Sequence, residues 1–282
     1  MRLIRRMLPL GLLLFLNLPA SILLAEGTSI TVKGSDTMVL LGQRWAEVYM
    51  KNNPGSRIQV TGGGSGTGIA ALINGTTDIC EASRPMKDKE KEDVKAKRGA
   101  EVKEIPVAVD GLAVYLNAAN PIKEISLEQL KGIYMGKITD WKDVGGKPGK
   151  IIAYGRENNS GTYAYFKEHV LANGDFHPSV QTLPGTSAVT NAVAKDPKAI
   201  GYGGIAYAKG IHHAMVKKDA STPAVEPSME NVLSGKYPIS RYLYWYIAGE
   251  PSGETKKLVD WVLGPEGQKL VQEVGYYPLP KK

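Results

Sequence analysis

Ser35, Thr37, Ser65, Ser83, Ser160 and Thr162 stand in short polar stretches beside apolar runs, and Arg156 precedes Ser160-Gly161-Thr162 by four residues. Each hydroxyl can donate one hydrogen bond, and a guanidinium adds a permanent charge with a fork of donors suited to an oxyanion. The stretch GGGSGTG at 62–68 adds bare backbone ahead of a short apolar run. Glycines let main-chain N–H groups approach a ligand closely, and a helix N-terminus offers unsatisfied donors and a positive dipole end to an anion.

Three readings of the glycine stretch compete: a nucleotide loop, a nucleophile elbow and a cradle for a free oxyanion. A phosphate-binding nucleotide loop needs Lys-Ser/Thr after its last glycine, but Ile69 and Ala70 follow Gly68. The dinucleotide fingerprint fails at Thr67, where a third glycine belongs. The elbow G-x-S-x-G fails at Thr67 around Ser65 and at Asn158 before Ser160. His169, His177, His212 and His213 show neither a triad context nor metal-ligand spacing. What remains is a set of hydroxyls, loop N–H groups and Arg156, without an assigned nucleophile, base, metal or cofactor. Such a set binds an anion without transforming it. Taken singly, each Ser or Thr also reads as an ordinary helix cap; their joint placement favours a site.

The elements that position them read as α/β. SITVKG is β-branched and alternating, which predicts a strand over 29–33. Leu41, Trp45, Val48 and Tyr49 follow at helical spacing until NNPG at 52–55. Ile58 and Val60 mark a second strand running into the glycine loop, Ile69, Leu72 and Ile73 a short helix, and 77–82 a third strand ending at SRP. That βαβαβ order implies a parallel sheet, whose ligands lie beyond the carboxyl ends of its strands. GSDT, GGGSGTG and SRP all fall at such ends. A charged segment, 87–98, reads as a solvated helix, and Ser126 as the N-cap of a helix carrying Leu127, Leu130, Ile133 and Tyr134. At 150–171 the opening pattern returns as strand, polar loop RENNSGT and helix, and 187–204 reads as a further helix-loop-strand unit. Two long extended runs, 104–117 and 237–247, suit strands crossing between lobes, and helices end the chain on either side of Gly264-Pro265.

Residues 1–25 read as a secretory signal peptide: Arg2, Arg5 and Arg6, the apolar run Met7–Leu18, and a cut after Ala25. No cysteine stands near the cut, so no lipid anchor is expected. The formal charge of +7 falls to +4 once those arginines are removed. Without a basic tract or aromatic-basic stripe, that mild excess argues against nucleic acid as a partner. Cys80 is the only cysteine, which excludes an intrachain disulfide, and its place in a strand reads as core.

The motifs GSDT, GGGSGTG, DICEASRP, VDGLAVYLN, LKGIYMGKITDW, RENNSGT and YPISRYLYWYI, in that order, resemble the periplasmic phosphate-binding proteins of the PstS family. These are the solute receptors of the ABC-type phosphate importer. The likeness covers nearly all of the chain after the leader. It implies a type II periplasmic binding protein fold: two α/β lobes joined by two extended crossover segments, with the ligand in the cleft. It also implies a periplasmic monomer that delivers inorganic phosphate to membrane-embedded permease subunits. Residues 26–110 and 237–282 would form the first lobe and 111–236 the second. By that resemblance Thr37, Ser65, Arg156, Ser160, Gly161 and Thr162 contact phosphate, with Met38 giving its backbone N–H. Ser35, Asp36, Ser83 and Arg84 are further candidates.

One position departs from the family pattern. Where the best-known members carry an aspartate that accepts the ligand's proton, this chain has Arg84. Arg84 either touches the ligand or pairs with a surface carboxylate. Asp36 is then the nearest acceptor in a ligand loop, with an N-cap for the following helix as its other reading. Asp78, inside a strand, reads as structural. Receptors for sulfate, molybdate or another oxyanion, and a secreted phosphatase on the same fold, are the alternatives.

Overall fold

The computed structural model describes residues 29–280, so the leader expected over 1–25 lies outside them. Ile30 and Val32 alternate with polar neighbours in β1 (Ser29–Gly34), and both are buried while Thr31 and Lys33 are half-buried. Helix α1 (Val39–Asn52) follows, with Leu41, Trp45 and Tyr49 on one buried face. Burying each such large apolar side chain stabilises the fold by about 1.5–3 kcal/mol. Strand β2 (Arg57–Thr61), helix α2 (Ser65–Asn74) and strand β3 (Ile79–Ala82) complete the first unit. Strands β2 and β3 pair with β1 in parallel, in the order β2-β1-β3. The expected βαβαβ unit is therefore present, each helix returning the chain so that the next strand runs parallel to the last. Asp78, just before β3, accepts from Thr31 N at 2.7 Å and Thr31 Oγ1 at 2.8 Å. Helix α3 (Asp88–Arg98) buries only Val94, as its charge pattern leads one to expect.

The chain then runs through β4 (Val102–Leu116), one strand shared by both lobes. Its first part pairs antiparallel with β10 (Ser240–Ala248), from Val102 opposite Ala248 to Gly111 opposite Ser240. Beyond Gly111 it pairs instead with β8 (Ala199–Gly204) and β9 (His212–Lys217). The second lobe also holds β5 (Glu124–Ser126), α4 (Leu127–Tyr134), β6 (Ile152–Arg156), α5 (Gly161–His169), β7 (Gln181–Leu183), α6 (Gly185–Lys195) and α7 (Met229–Leu233). The Ser126 cap on α4 is a full capping box with Gln129. Helices α8 (Gly253–Leu263) and α9 (Pro265–Val274) return to the first lobe, where Leu258, Val262 and Val271 join Trp45 and Trp245 in its core. A separate core around Leu116, Tyr134, Phe166 and Tyr202 fills the second.

The C-terminal tail adds a third link between the lobes that the sequence does not announce. Tyr276 belongs to the first core, whereas Tyr277 and Leu279 pack against the second. Val109 and Tyr277 exchange backbone hydrogen bonds at 2.8 and 3.0 Å. Cys80, in β3, is buried among Ile69 and Leu72 of α2 and Val94 of α3, and burial pushes its thiol well up. Among the described residues no helix is long and apolar enough to cross a membrane, and no group of His, Cys, Asp and Glu is placed to hold a metal.

Candidate functional site

Three helices begin at one place. The loop after β1 leads into α1, the glycine loop after β2 into α2, and the polar loop after β6 into α5. Each helix start leaves N–H groups without intrahelical acceptors, so three positive dipole ends meet in the cleft between the lobes.

The hydroxyls meet there too. Thr37 Oγ1 of the first lobe lies 2.9 Å from Thr162 Oγ1 of the second. Ser35 Oγ donates to Ser83 Oγ at 2.9 Å, Ser83 N donates to Ser65 Oγ at 3.1 Å, and the Ser65 and Ser83 hydroxyls are 3.4 Å apart. Ser35, Thr37, Ser65, Ser83, Ser160 and Thr162 are all buried. Ser160 Oγ accepts from Thr162 N and Tyr163 N at 3.2 and 3.3 Å. Both lone pairs of Ser160 are thereby engaged, which leaves its proton as a pure donor. The helix-cap reading and the site reading of Ser160 are thus compatible.

Gly161 explains why no side chain is tolerated at the start of α5. A Cβ there would stand 2.3 Å from Ser65 Oγ and 2.7 Å from Ser83 Oγ across the cleft. Gly64, at φ +91°, packs its α-carbon on the Asn159 carbonyl, and Gly66 N donates to the same oxygen at 2.8 Å. Asn159 Nδ2 donates back to Gly63 O at 2.9 Å and Thr67 Oγ1 at 3.1 Å. The lobes are therefore closed on one another along the glycine loop. Asn159 sits inside RENNSGT yet escapes the sequence reading, because its partners lie more than ninety residues earlier.

Arg156 extends from the end of β6 and is buried. Its Nη2 donates to Asp36 Oδ2 at 2.7 Å and its Nη1 to Thr186 Oγ1 at 2.9 Å, while Nε has no partner among the described residues. Asp36 Oδ1 accepts from Gly63 N at 2.8 Å. Asp36 is therefore not the helix cap: α1 is preceded by Met38 with no side-chain cap bond. The carboxylate faces across the cleft because the permanent charge of Arg156 is a stronger partner than a helix amide. The Met38 N–H, expected to face an anion, donates to Ser35 O at 2.9 Å and closes the turn that starts α1. Tyr207 and Tyr276 hydroxyls donate to the carbonyls of Asp36 and Thr37 at 2.7 and 2.6 Å, pinning that turn from outside.

The structure places Arg84 away from this cluster. Its guanidinium grips Glu90 in two-fold fashion, at 2.7 and 2.9 Å, and holds the Glu90 carboxyl below its ordinary range against the cost of burial. Of its two sequence readings, pairing with a carboxylate is the one observed. Glu90 in α3 lies six residues on, within reach of the turn that 84–87 makes.

Two charged residues of the cleft are missing from the sequence reading. Asp110 and Arg241 form a buried ion pair at the point where β4 and β10 pass between the lobes, with Nη2 and Oδ2 2.9 Å apart. Arg241 Nη2 also donates to Thr162 Oγ1 at 3.0 Å, and Asp110 Oδ1 accepts from Ile205 N at 2.9 Å. A charge inside each long apolar run was the available signal. A cavity of about 430 Å³ opens beside Arg156 and Glu157, lined by Tyr163, Phe176 and His177, all residues of the second lobe.

Two α/β lobes, strands shared between them and convergent helix starts define a two-lobed solute receptor of the type II periplasmic binding protein class. A family model described as a PBP superfamily domain matches residues 24–266. Phosphate-binding protein PstS of Pseudomonas aeruginosa is 36% identical over 92% of this chain and 86% of its own. The Bacillus subtilis protein of the same name is 34% identical over 89% of this chain and 81% of its own. Among solved structures, a substrate-binding protein from Clostridium perfringens with bound phosphate superposes with a TM-score of 0.81 at 30% identity, over 90% of this chain and all of that one. An ABC-type phosphate transport receptor from Vibrio cholerae gives 0.71 at 29% identity, over 89% and 100%. The chain belongs to the PBP superfamily and, within it, to the PstS family of phosphate-binding proteins.

Proposed function

We propose that this protein captures inorganic phosphate in the periplasm and delivers it, as a monomer, to the membrane-embedded permease subunits of an ABC transporter. The observation that carries the reading is the convergence of Thr37, Ser65, Ser160 and Thr162 hydroxyls with Arg156 at three helix N-termini. The relatives' names, and the phosphate in the Clostridium perfringens structure, support the choice of anion. The ligand set we assign is Thr37, Met38, Ser65, Arg156, Ser160, Gly161 and Thr162, with the Met38 N–H released from Ser35 as the turn adjusts. Ser35 and Ser83 support Ser65 from behind. Residues 26–110 with 237–282, and 111–236, are the bodies that part to admit the anion. Residues 1–25 act as the export signal.

The chemistry is binding, not turnover. Hydroxyl donors, helix starts and Arg156 supply directional hydrogen bonds to the acceptor oxygens of the anion, in a buried site where each bond counts for more than in water. Calorimetry with phosphate, arsenate and sulfate on one preparation tests the reading. We expect phosphate and arsenate to bind. Tighter binding of sulfate or molybdate would make this a receptor for that anion. Hydrolysis of a phosphate ester that survives repurification and disappears in Ser160→Ala would make it a phosphatase.

A further inference from the structure

Arg241 is buried and its guanidinium is only partly used. Nε and Nη2 donate to Asp110 Oδ2 at 3.1 and 2.9 Å, so that side of the plane faces the carboxylate. The second hydrogen of Nη2 serves Thr162 Oγ1 at 3.0 Å. Nη1 has no partner among the described residues, although the side chain is 2% exposed. A guanidinium is planar, and the hydrogens on its outer edge run parallel from Nη1 and Nη2. The outer of the two unused Nη1 hydrogens therefore points the same way as the bond to Thr162, beside that hydroxyl. Thr162 is in turn 2.9 Å from Thr37, at the seam where the lobes close.

A buried cationic donor left unmatched costs more than a neutral one. An acceptor oxygen lying beside the Thr162 hydroxyl would remove that cost. Asp110 fixes the direction: it is fully buried, is anchored by Ile205 N at 2.9 Å, and leaves Arg241 no other orientation that keeps both Nε and Nη2 paired. It also cancels the arginine's net charge, so that Arg241 offers a direction more than an attraction.

We infer that Arg241 is a second arginine of the anion site, donating from Nη1 to an oxygen of the tetrahedral anion beside Thr162, with Asp110 as its positioning residue. The inference rests on the phosphate-receptor reading above. It makes the cradle two-sided: Arg156 enters from β6 of the second lobe and Arg241 from β10, at the crossing between lobes. Closure and anion contact are then coupled through the strand on which the lobes turn.

The test is a crystal structure of the mature protein with inorganic phosphate, with calorimetry on wild type and Arg241→Lys. Lysine keeps the charge but cannot serve Asp110, Thr162 and the anion together. We expect Nη1 within about 3.2 Å of a phosphate oxygen, and phosphate affinity about tenfold or more weaker in Arg241→Lys. Phosphate bound with every oxygen beyond about 3.6 Å of Nη1, or Arg241→Lys within about threefold of wild type, overturns the inference alone. If Arg241→Lys does not fold, the wild-type distance decides. Wild-type protein that binds no phosphate overturns the functional reading and this inference with it.

Discussion

Thr37 and Thr162 are 125 residues apart in the chain, and their hydroxyl oxygens lie 2.9 Å apart in the cleft. Each starts from a different lobe, so the contact exists only while the lobes are closed. The Arg156–Asp36 ion pair and the Asn159 bonds to the glycine loop share that property. A tetrahedral anion held by both sides selects the closed arrangement by its differential affinity for it. Phosphate at a thousandfold excess over its dissociation constant should then stabilise the protein by about 4 kcal/mol, read as a rise in melting temperature. X-ray scattering should show a smaller radius of gyration with phosphate than without. No change in either quantity would count against hinged closure.

Gly161→Ala isolates closure from chemistry. The added methyl would sit 2.3 Å from Ser65 Oγ, an atom of the opposite lobe. Each lobe alone tolerates alanine, which is a better helix former than glycine by up to about 1 kcal/mol. We expect the melting temperature without phosphate to hold or rise, and phosphate affinity to fall by about tenfold or more. Unchanged affinity would mean that the lobes do not approach as closely as described.

Arg84→Ala should leave phosphate affinity within threefold of wild type, since Glu90 and not the cleft holds that guanidinium. The pair is mostly buried and two-fold, so its loss should cost about 1.5–3 kcal/mol of stability. Calorimetry and a denaturant curve on this variant check both statements. A tenfold loss of affinity would return Arg84 to the site.

Glu81 carries a pH dependence. It is fully buried in β3 with one side-chain partner, Trp245 Nε1 at 3.1 Å, and its Oε2 has none among the described residues. Burial pushes its carboxyl up to about 8, with the Trp245 bond opposing. The folded state therefore binds a proton that the unfolded state, titrating near 4.5, has already released. Stability from this group is complete below about pH 4.5 and is lost as pH rises to about 8, by on the order of 1 kcal/mol per pH unit. Denaturant unfolding of wild type and Glu81→Gln at intervals from pH 5 to 8 should show the slope in the former and a shallower one in the latter. Parallel curves would show that Glu81 does not titrate there.

Much of this site is legible in the sequence because its parts are local. Ser35, Thr37, Ser65, Ser83, Ser160 and Thr162 each follow a strand whose end the periodicity marks, and parallel crossovers carry those ends to one edge. What escapes is pairing across the chain. Asp110 and Arg241, 131 residues apart, lie in runs that read as apolar strands, and a lone charge in such a run does not name its partner. Strands β5 and β7 and helix α7 have too few residues for a periodic signature and are defined by what they pack against. The orientations of Asp36 and Arg84 escape for other reasons: Asp36 pairs with Arg156, 120 residues away, which neither of its readings named, and Arg84 had two readings between which Glu90, six residues on, decides.

Asp36 bears on selectivity, since hydrogen phosphate carries a proton that sulfate lacks, and only an acceptor in the site distinguishes the two. An acceptor facing an unprotonated oxygen is left unpaired and repelled, which is how a polar site rejects a near-isostere by large factors. In the closed form both Asp36 oxygens are taken, one by Gly63 N and one by Arg156 Nη2. That makes the carboxylate a latch between lobes in the first place. Asp36→Asn keeps an oxygen for Gly63 but loses the charge that Arg156 pairs with. We therefore expect it to weaken phosphate and sulfate by similar factors, about tenfold each if the lost bond is an ordinary charge-assisted one. It should also cost little stability without ligand, because α1 loses no cap. Calorimetry with both anions on wild type and variant gives the two ratios directly. If the preference for phosphate over sulfate collapses while sulfate binding is retained, Asp36 is the proton acceptor and the latch is secondary.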